Sequence, residues 1–563
     1  MSTQVESSTV GRVIGWTALA ATLLVTPWAT IDPINVPKLS VIAVGGFVTF
    51  AALVANARDL FSVKHRAVQV LIGLFVLDLT VVLLFSGTNF YQEFFGTYGR
   101  ATGFVAYIAL ASLLLGAVVV ASAGFVNSFA RILLVTGGLS IGYGLLQVVG
   151  ADPIKWVNQY SPVIGFLGNP NFQSSFVGFS GVLAFGFICA QGIKVMWRAS
   201  YATYLLLAVF VIIKTDSQQG LIVLTGGITI VSMIWLSGSK FKVATIPALI
   251  VSGVGAVLVA LGSLNSGPLA SLLYKASVTY RGDYWRAGWK MTVEHPFLGV
   301  GLDSYGDWYR RARTLEATLR RGPEVTSNAA HNVLLDFSSN GGFPLVIIYL
   351  ALMVLVVVSA IKLLKRSNGF DPALAGLIAV WIAYQAQSII SLNQLGLAVW
   401  GWIISGLIIG YEINTRVQET TTEVKPPVSK GRNVKKAIDK SASPKTLVSM
   451  VAGGLVGLLV GLPPFIASSQ FRSAFASGDA IKIENAAYLW PYDPVRYGQV
   501  GITLQTNKLD AQAQKVVDAG LLKFPDEFGL WSLAAKLSTA TPEQIAEATQ
   551  QMKRLDPFNP DIK

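Results

Sequence analysis

The chain has 563 residues, of which 53% are hydrophobic and only 13% are charged, and its formal net charge is +13. Charged residues make up about a quarter of an average soluble domain, so this composition excludes a protein that is water-soluble throughout. The single cysteine, Cys189, excludes a disulfide framework.

Apolar stretches of about 17–22 residues recur along the chain, and this length crosses a hydrocarbon core of roughly 30 Å. The sequence therefore predicts an all-α, polytopic membrane helix bundle of about 12–13 transmembrane helices. The thirteen predicted spans are residues 13–30, 39–55, 67–87, 103–122, 131–149, 172–192, 201–214, 220–236, 243–262, 341–361, 373–391, 396–411 and 447–468.

The basic residues of the short loops predict the orientation, because cytoplasmic loops are enriched in lysine and arginine. One set of alternate loops is basic, whereas the opposite short loops carry only Lys38, Arg100, Lys155 and Lys214. The basic set comprises Arg58, Lys64, Arg66, Arg131, Lys194, Arg198, Lys240, Lys242, Lys362, Lys365 and Arg366. We therefore expect the N-terminus inside and the C-terminal tail outside. The net charge then reflects topology, and we expect no nucleic-acid partner.

The segment of about residues 263–340 is an external loop by this count. A basic surface outside the membrane suits an anionic substrate at the outer leaflet. The alternative for the run Arg310–Arg321 is an interfacial amphipathic helix whose arginines contact lipid headgroups. The basic residues of the loop are Lys275, Arg281, Arg286, Lys290, Arg310, Arg311, Arg313, Arg320 and Arg321.

The C-terminal region divides into three predicted parts. Residues 412–446 form a basic cytoplasmic linker, residues 447–468 an additional transmembrane helix, and residues 469–563 an external helical domain. Pro491, Pro525 and Pro557 are 34 and 32 residues apart. This period is typical of two-helix units of the tetratricopeptide type, so the tail is a candidate binding site for an acceptor or an envelope assembly partner.

Among the three histidines, His331 is the candidate general base. It opens the segment AHNVLLDFSSNGGF, at the predicted external mouth of the tenth helix, where an imidazole can accept a proton or form a hydrogen bond. We interpret His65 as part of a basic cytoplasmic loop and His295, which precedes a proline, as a turn or interface residue.

Further polar residues fall in the predicted external loops, all on one side of the membrane. The guanidinium of Arg281, in TYRGDYWRAGW, is suited to phosphate oxygens. Asn-Pro-Asn is turn chemistry first, but its amides are also good sugar or phosphate ligands. The other candidates are Arg100 in YGRATGF, Asn169 and Asn171 in GFLGNPNF, and Gln218 and Gln219 in KTDSQQG.

The sequence has no Walker loop, no dinucleotide fingerprint, no metal-ligand spacing of Cys and His, and no D-x-D pair. We therefore expect a reaction that needs neither nucleotide, metal nor other cofactor. Asp78 is a lone ionisable residue within a span, which keeps a transport function open.

The order of the motifs resembles that of the O-antigen ligase and O-antigen polymerase superfamily, over about residues 15–411. YGRATGF is followed by GNPNF, S-x-Q-G, R-x-x-x-W ahead of EHPFLGVGLDSY, HN at a helix start, and VWGWIISGL. The resemblance implies transfer of a glycan from a polyprenyl diphosphate carrier to an acceptor outside the cytoplasmic (inner) membrane. That acceptor is lipid A core, another glycan repeat, or a serine or threonine hydroxyl of a protein. The resemblance also implies that His331 is the essential histidine and Arg281 the loop arginine, whereas Gln218 stands where many members carry an arginine.

The resulting hypothesis is a metal-independent, inverting glycosyltransferase with His331 and Arg281 as catalytic residues. The substrate-binding candidates are Arg100, Asn169, Asn171, Lys214, Gln218, Gln219, Arg286 and Asn332. The sequence leaves ligase and polymerase undecided. The alternatives from other classes are a transporter or flippase for a glycolipid, and a non-catalytic envelope assembly factor.

Overall fold

The computed structural model describes residues 2–57, 62–156, 161, 163–239, 242–274, 276–367, 369–421 and 443–562. Within these ranges the chain is helical and contains no strand, which confirms the predicted all-α class. Most of the predicted linker 412–446 lies outside the described residues, as do Arg58, Lys240 and Lys275.

Twenty-four α-helices follow one another along the described chain. The first ten are α1 (Ser2–Leu23), α2 (Asn35–Ala55), α3 (Arg66–Phe85), α4 (Phe90–Phe95), α5 (Phe104–Val120), α6 (Ala123–Val148), α7 (Pro170–Ile188), α8 (Val195–Lys214), α9 (Gln218–Ser237) and α10 (Thr245–Ser263). The next eight are α11 (Ala270–Leu273), α12 (Ala276–Glu294), α13 (Tyr305–Ala312), α14 (Leu315–Arg321), α15 (Val333–Arg366), α16 (Pro372–Ser388), α17 (Leu395–Thr421) and α18 (Pro444–Gly461). The C-terminal domain comprises α19 (Pro463–Ser477), α20 (Ala480–Ala486), α21 (Pro494–Thr506), α22 (Asp510–Lys523), α23 (Phe528–Ala534) and α24 (Pro542–Leu555).

Each of the thirteen predicted spans overlaps a helix, and ten of the helices in the described ranges are long and apolar enough to cross a membrane. The other three are α1, α5 and α16. Helices α5 and α16 have 17 residues each, the lower end of the length that spans a bilayer. The chain is therefore a multi-pass membrane protein.

The ends of several predicted spans differ from those of the helices, and for two of them the structure gives the cause. The helix predicted for residues 13–30 ends early, at Leu23. The buried Lys38 side chain donates there to the carbonyls of Thr22 (2.8 Å) and Leu24 (3.1 Å). Lys38, counted above as a loop charge, is thus an internal cap of that helix. The span 447–468 is divided between α18 and α19, because Pro463 begins a new helix.

The bundle is built around α17, and α10 lies at its periphery. Most of α17 is buried, and the fully buried Trp400 donates its indole N–H to Thr22 of α1 at 2.8 Å. None of the apolar stretch of α10 is buried inside the protein. The apolar surface of a peripheral helix of this kind faces lipid in a bilayer.

Helix α15 contains a break that separates its first nine residues from the membrane span. Gly342 has a φ of 71° inside α15, and a Cβ on it would lie 2.6 Å from the backbone of Pro296 and Phe297. The amide of Phe343 donates to the Pro296 carbonyl at 2.8 Å, and that of Val300 to the Ser339 carbonyl at 2.8 Å. The HPFLGVG turn therefore packs directly on the break, which fixes the segment that begins with His331.

We expect Gly342→Ala to lower the free energy of unfolding by at least about 2 kcal/mol, because alanine meets both a left-handed φ and a backbone clash. Thermal unfolding in detergent measures this loss. Gly73→Ala is the matched control, since Gly73 lies in α3 with open space around it and should tolerate a methyl group. Equal melting temperatures for the two variants would show that the break does not constrain the fold.

The C-terminal domain has its own hydrophobic core, formed by residues such as Tyr497, Val516 and Leu533. Pro491 and Pro525 each precede a pair of helices, α21–α22 and α23–α24. The tetratricopeptide-like assignment stays a prediction. The domain packs on the same end of the bundle as α12–α14, and we call this end the pocket end.

Helix α13 and the residue that follows it are held by the C-terminal domain. Arg310 and Arg313 both pair with Asp556, beyond the end of α24. Leu315 and Leu319 of α14 remain 49% and 63% exposed. The interfacial-helix alternative thus does not apply to these two arginines, whose charges are engaged within the protein.

Candidate active site

A polar cavity of about 470 Å³ lies at the pocket end, between the loops of the bundle and helix α12. Six of the ten candidate catalytic and substrate-binding residues line it: Arg100, Asn169, Asn171, Gln219, Arg281 and His331. They come from five separate chain segments. The loops that carry them therefore share one end of the bundle, as the alternation of spans requires.

Two of the arginines that line the pocket have no acidic partner among the described residues. Arg281 of α12 forms no ion pair or side-chain hydrogen bond there, and burial lowers its pKa. Arg321, at the end of α14, donates to the Tyr284 hydroxyl, and its guanidinium carbon lies 4.3 Å from the ring centroid of Tyr280. A partly buried guanidinium without a counter-charge has the chemistry that suits a bound anion.

His331 lies beside these two cations in an unusual backbone conformation. Its φ is 52°, and its ring stacks on the Tyr284 ring with centroids 5.3 Å apart and an angle of 26° between the planes. Burial, together with the positive charges of Arg281, Arg100 and Arg321, lowers the pKa of His331 to about 4. The imidazole is therefore neutral at physiological pH and can accept a proton.

Arg100 supports the pocket wall, because its charge is already compensated. Its Nε lies 3.1 Å from Asp303 and its Nη2 3.7 Å from Asp336, and Nη1 donates to the carbonyl of Asn328 at 2.5 Å. Asp336 also accepts the amide of Ala330 at 2.8 Å. This buried network connects the YGRATGF loop to residues 328–330, immediately before His331.

The amide side chains divide into structural and available groups. Asn169 caps α7 by accepting the amide of Asn171, and the side chain of Asn171 accepts from Ser217 at 2.7 Å. The Oε1 atom of Gln219 is buried and has no hydrogen-bond partner among the described residues. Gln219 is therefore the amide best placed to bind a ligand in the pocket.

Four of the predicted substrate-binding residues do not line the pocket. Lys214 is exposed, with its Nζ 5.6 Å from the ring centroid of Phe210, and Gln218 is half-buried. Arg286 is paired with Asp283 at 2.5 Å on the exposed side of α12. Asn332 caps α15 by accepting the amides of Leu334 and Leu335. The structure gives each of Arg286 and Asn332 a local role instead.

Sequence reasoning missed the aromatic side of the pocket. Tyr280 and Tyr284 flank Arg281 on α12, and both contact Arg321. The spacing of the two tyrosines in TYRGDYW is four residues, which places them on one face of a helix. The shared face of the two tyrosines could therefore be predicted from the motif, whereas their contact with Arg321 of α14 is visible only in the tertiary structure.

The remaining candidates lie elsewhere. His65 is buried near Asn414 at the other end of the bundle, and His295 packs edge-on against Trp308 with ring centroids 4.7 Å apart. Asp78 lies in α3 away from the pocket. Within the described ranges, no group of three or more His, Cys, Asp or Glu side chains could hold a metal ion.

The fold and the site together define a multi-pass helical membrane protein with a pocket at one end that carries two uncompensated arginines. Residues 203–350 match the family model described as O-antigen ligase, about a quarter of the chain. This match confirms the resemblance to the O-antigen ligase and polymerase superfamily, and it supports a general role in glycan transfer at a membrane. No curated protein matches the chain. The matched segment contains Gln219, Arg281, Arg321 and His331, whereas Arg100 lies outside it.

Proposed function

We propose that this protein transfers a glycan from a polyprenyl diphosphate carrier to an acceptor at the outer face of the cytoplasmic membrane. The single observation that carries the proposal is the pair of uncompensated guanidiniums, Arg281 and Arg321, beside the neutral imidazole of His331. A diphosphate matches two guanidiniums in charge and geometry. A neutral imidazole supplies the base that an acceptor hydroxyl needs.

In the proposed reaction, the acceptor oxygen attacks the anomeric carbon from the face opposite to the diphosphate. The new glycosidic bond forms as the bond between the anomeric carbon and the diphosphate oxygen breaks, so the configuration inverts. The hydroxyl proton passes to His331, and the leaving electron pair stays on the diphosphate. Arg281 and Arg321 stabilise the negative charge that grows there in the transition state. No metal takes part in this scheme.

Arg321 supplies the second positive charge beside the diphosphate, which the uncharged Gln218 cannot supply. Gln218 is uncharged and does not line the pocket, whereas Arg321 approaches from α14 and stacks on Tyr280. The second positive charge against the diphosphate therefore comes from the long loop. Gln219, whose buried Oε1 has no hydrogen-bond partner among the described residues, is left to bind a hydroxyl group of the sugar.

The pH dependence of transfer should report the lowered pKa of His331. With a pKa of about 4 in the free protein, the imidazole stays in its basic form down to acidic pH. We therefore expect kcat/KM to show no loss of activity near pH 6.5, the ordinary value for histidine. The bound diphosphate offsets the nearby arginines and favours protonation, so the acid limb of kcat should lie at higher pH than that of kcat/KM.

Initial-rate measurements from about pH 3.5 to 7.5 with a carrier-linked donor test this expectation. The control is Arg281→Gln, which removes one charge beside the imidazole and should move the acid limb of kcat/KM upward in the remaining activity. An acid limb of kcat/KM near pH 6.5 in the wild-type protein would contradict a His331 base in this environment.

Whole-cell glycan profiling of a deletion strain distinguishes the possible acceptors. Intact long glycan chains that stay on the lipid carrier indicate a ligase, whose acceptor is a lipid or a protein. Single repeats alone indicate a polymerase. An unchanged glycan profile would refute the transfer proposal and favour a transporter or an assembly factor. Complementation with wild type and with His331→Ala connects the phenotype to the pocket.

The proposed location is the inner membrane, with the pocket and the C-terminal domain on the external side. The basic loops at the opposite end of the bundle support this orientation. Membrane lipids are then direct partners of the bundle, and the exposed face of the C-terminal domain is available to an acceptor or an envelope assembly partner. The orientation can be tested with single cysteines placed at either end of the bundle in a Cys189→Ala background. A membrane-impermeant thiol reagent should label those at the pocket end.

A further inference from the structure

A carboxylate of the C-terminal domain is buried against the loop that leads to the pocket. The side chain of Asp556 is fully buried, and Oδ2 lies 2.9 Å from Nη1 of Arg310 and 2.6 Å from Nη2 of Arg313. Oδ1 lies 3.3 Å from Nε of Arg313, and Asn559 donates to Oδ2 at 3.1 Å. This ion pair joins two parts of the chain that are about 240 residues apart.

The same two guanidiniums hold the backbone of residues 323–325. Arg310 donates to the carbonyl of Pro323 at 2.8 Å, and Arg313 donates to the carbonyls of Pro323 (2.9 Å) and Val325 (3.2 Å). Only three to eight residues separate these carbonyls from Asn328 and His331. The other end of this short segment is held by Arg100 and Asp336. Both anchors together fix the path of the chain into the pocket.

Removal of the Asp556 charge would leave the fully buried Arg313 without its counter-charge, while Arg310 would keep only the exposed Glu324, 3.6 Å away. An unpaired buried charge draws in water or moves toward solvent. The arginines would then no longer hold residues 323–325, and the His331 backbone, already at a φ of 52°, would lose one of its two anchors.

We propose that Asp556 is a positioning residue of the pocket, through which the C-terminal domain fixes the segment that carries His331. The inference rests on the proposed function where it concerns catalysis, but the effect on the segment itself does not depend on that function. The domain then supports the active site, and this role is separate from the binding of any partner.

Asp526 provides a matched control. It also belongs to the C-terminal domain and also pairs with an arginine of α13, Arg311, at 3.1 Å. However, Asp526 is half-exposed, it shares its charge with Arg554, and Arg311 donates to no carbonyl of residues 323–325 among the described contacts. The two acidic residues therefore differ in what their arginine partners hold.

The experiment compares the full-length wild type, Asp556→Asn and Asp526→Asn in lipid vesicles. Amide hydrogen exchange of residues 322–331 should become at least about tenfold faster in Asp556→Asn and stay unchanged in Asp526→Asn. With a carrier-linked donor, kcat should fall by about 10- to 100-fold in Asp556→Asn while the donor KM changes little, because Arg281 and Arg321 still bind the diphosphate. Asp526→Asn should keep both constants.

A further variant covers the case in which Asp556→Asn fails to fold. Arg313→Lys keeps the charge opposite Asp556 but has a single nitrogen, whereas Arg313 contacts Asp556, Pro323 and Val325 through three. It should therefore give faster exchange of residues 322–331 in a folded protein. Unchanged exchange in both variants would overturn the proposal. If the variants exchange faster but the wild type itself transfers no glycan, the positioning effect is supported and only the proposed function is refuted.

Discussion

His331→Ala should abolish glycan transfer while the protein remains folded and inserted in the membrane. Removal of a general base typically costs about 10²- to 10⁴-fold in rate. His331 is the single imidazole that lines the described pocket, between Arg281 and the ring of Tyr284. Because its side chain donates no hydrogen bond to the surrounding core in the described residues, the loss of the ring should cost little stability. In vitro transfer and size-exclusion profiles measure the two effects separately.

His295→Ala is the matched control for this variant. His295 also lies at the pocket end, but it packs against Trp308 and does not line the cavity. We expect it to keep transfer within a few-fold of the wild type. Comparable activity of His331→Ala and His295→Ala in folded protein would remove His331 from the reaction.

Arg281→Gln should lower transfer by about 10²- to 10³-fold, the usual loss when a group that stabilises developing charge is removed. The guanidinium of Arg281 has no counter-ion within the described part of the protein, so its charge is available to a bound anion. Arg281→Lys should recover only part of the activity, because an ammonium group cannot bind two phosphate oxygens in the bidentate geometry of a guanidinium. Arg321→Gln should act in the same direction.

The control for Arg281 lies on the same helix. Arg286 is five residues further along α12, where it is exposed and paired with Asp283. Arg286→Gln removes the same charge from the same helix and should leave transfer nearly unchanged. Equal losses for Arg281→Gln and Arg286→Gln would indicate a general electrostatic effect of the loop in place of a specific diphosphate site.

The membrane spans could be predicted from the sequence because a single physical requirement fixes them. A helix that crosses lipid must be apolar over its length, and this pattern needs no knowledge of its neighbours. The ends of the helices were less predictable. Lys38 resembles a loop charge in the sequence, but in the structure it caps α1 from inside the bundle.

Six candidate residues could be brought to one pocket from the sequence because alternate loops share one end of the bundle. This argument places a residue at an end of the bundle but cannot give the direction of its side chain. Gln218 and Gln219 are neighbours at the start of α9, yet only Gln219 points into the cavity. Similarly, Arg100 was expected to bind substrate, but Asp303 and Asp336 engage its charge.

Arg321 and Asp556 could not have been assigned from local pattern. Arg321 acquires its place through aromatic contacts with α12, and Asp556 through two arginines about 240 residues earlier in the chain. Such long-range pairs leave no periodic signal in a single sequence. The first of these contacts brings the charge of Arg321 to the pocket, and the second holds the segment that leads to His331.

The most direct test of the transfer proposal is a reaction of the purified protein in lipid vesicles with a polyprenyl-diphosphate-linked glycan and an acceptor, in the presence of a metal chelator. We predict that the wild type forms glycosylated acceptor with inverted anomeric configuration and releases free polyprenyl diphosphate in equal amount. His331→Ala and Arg281→Gln should form neither product. Loss of donor from the vesicles' outer leaflet without a new glycosidic bond, or full transfer by both variants, would contradict the proposed reaction at this pocket.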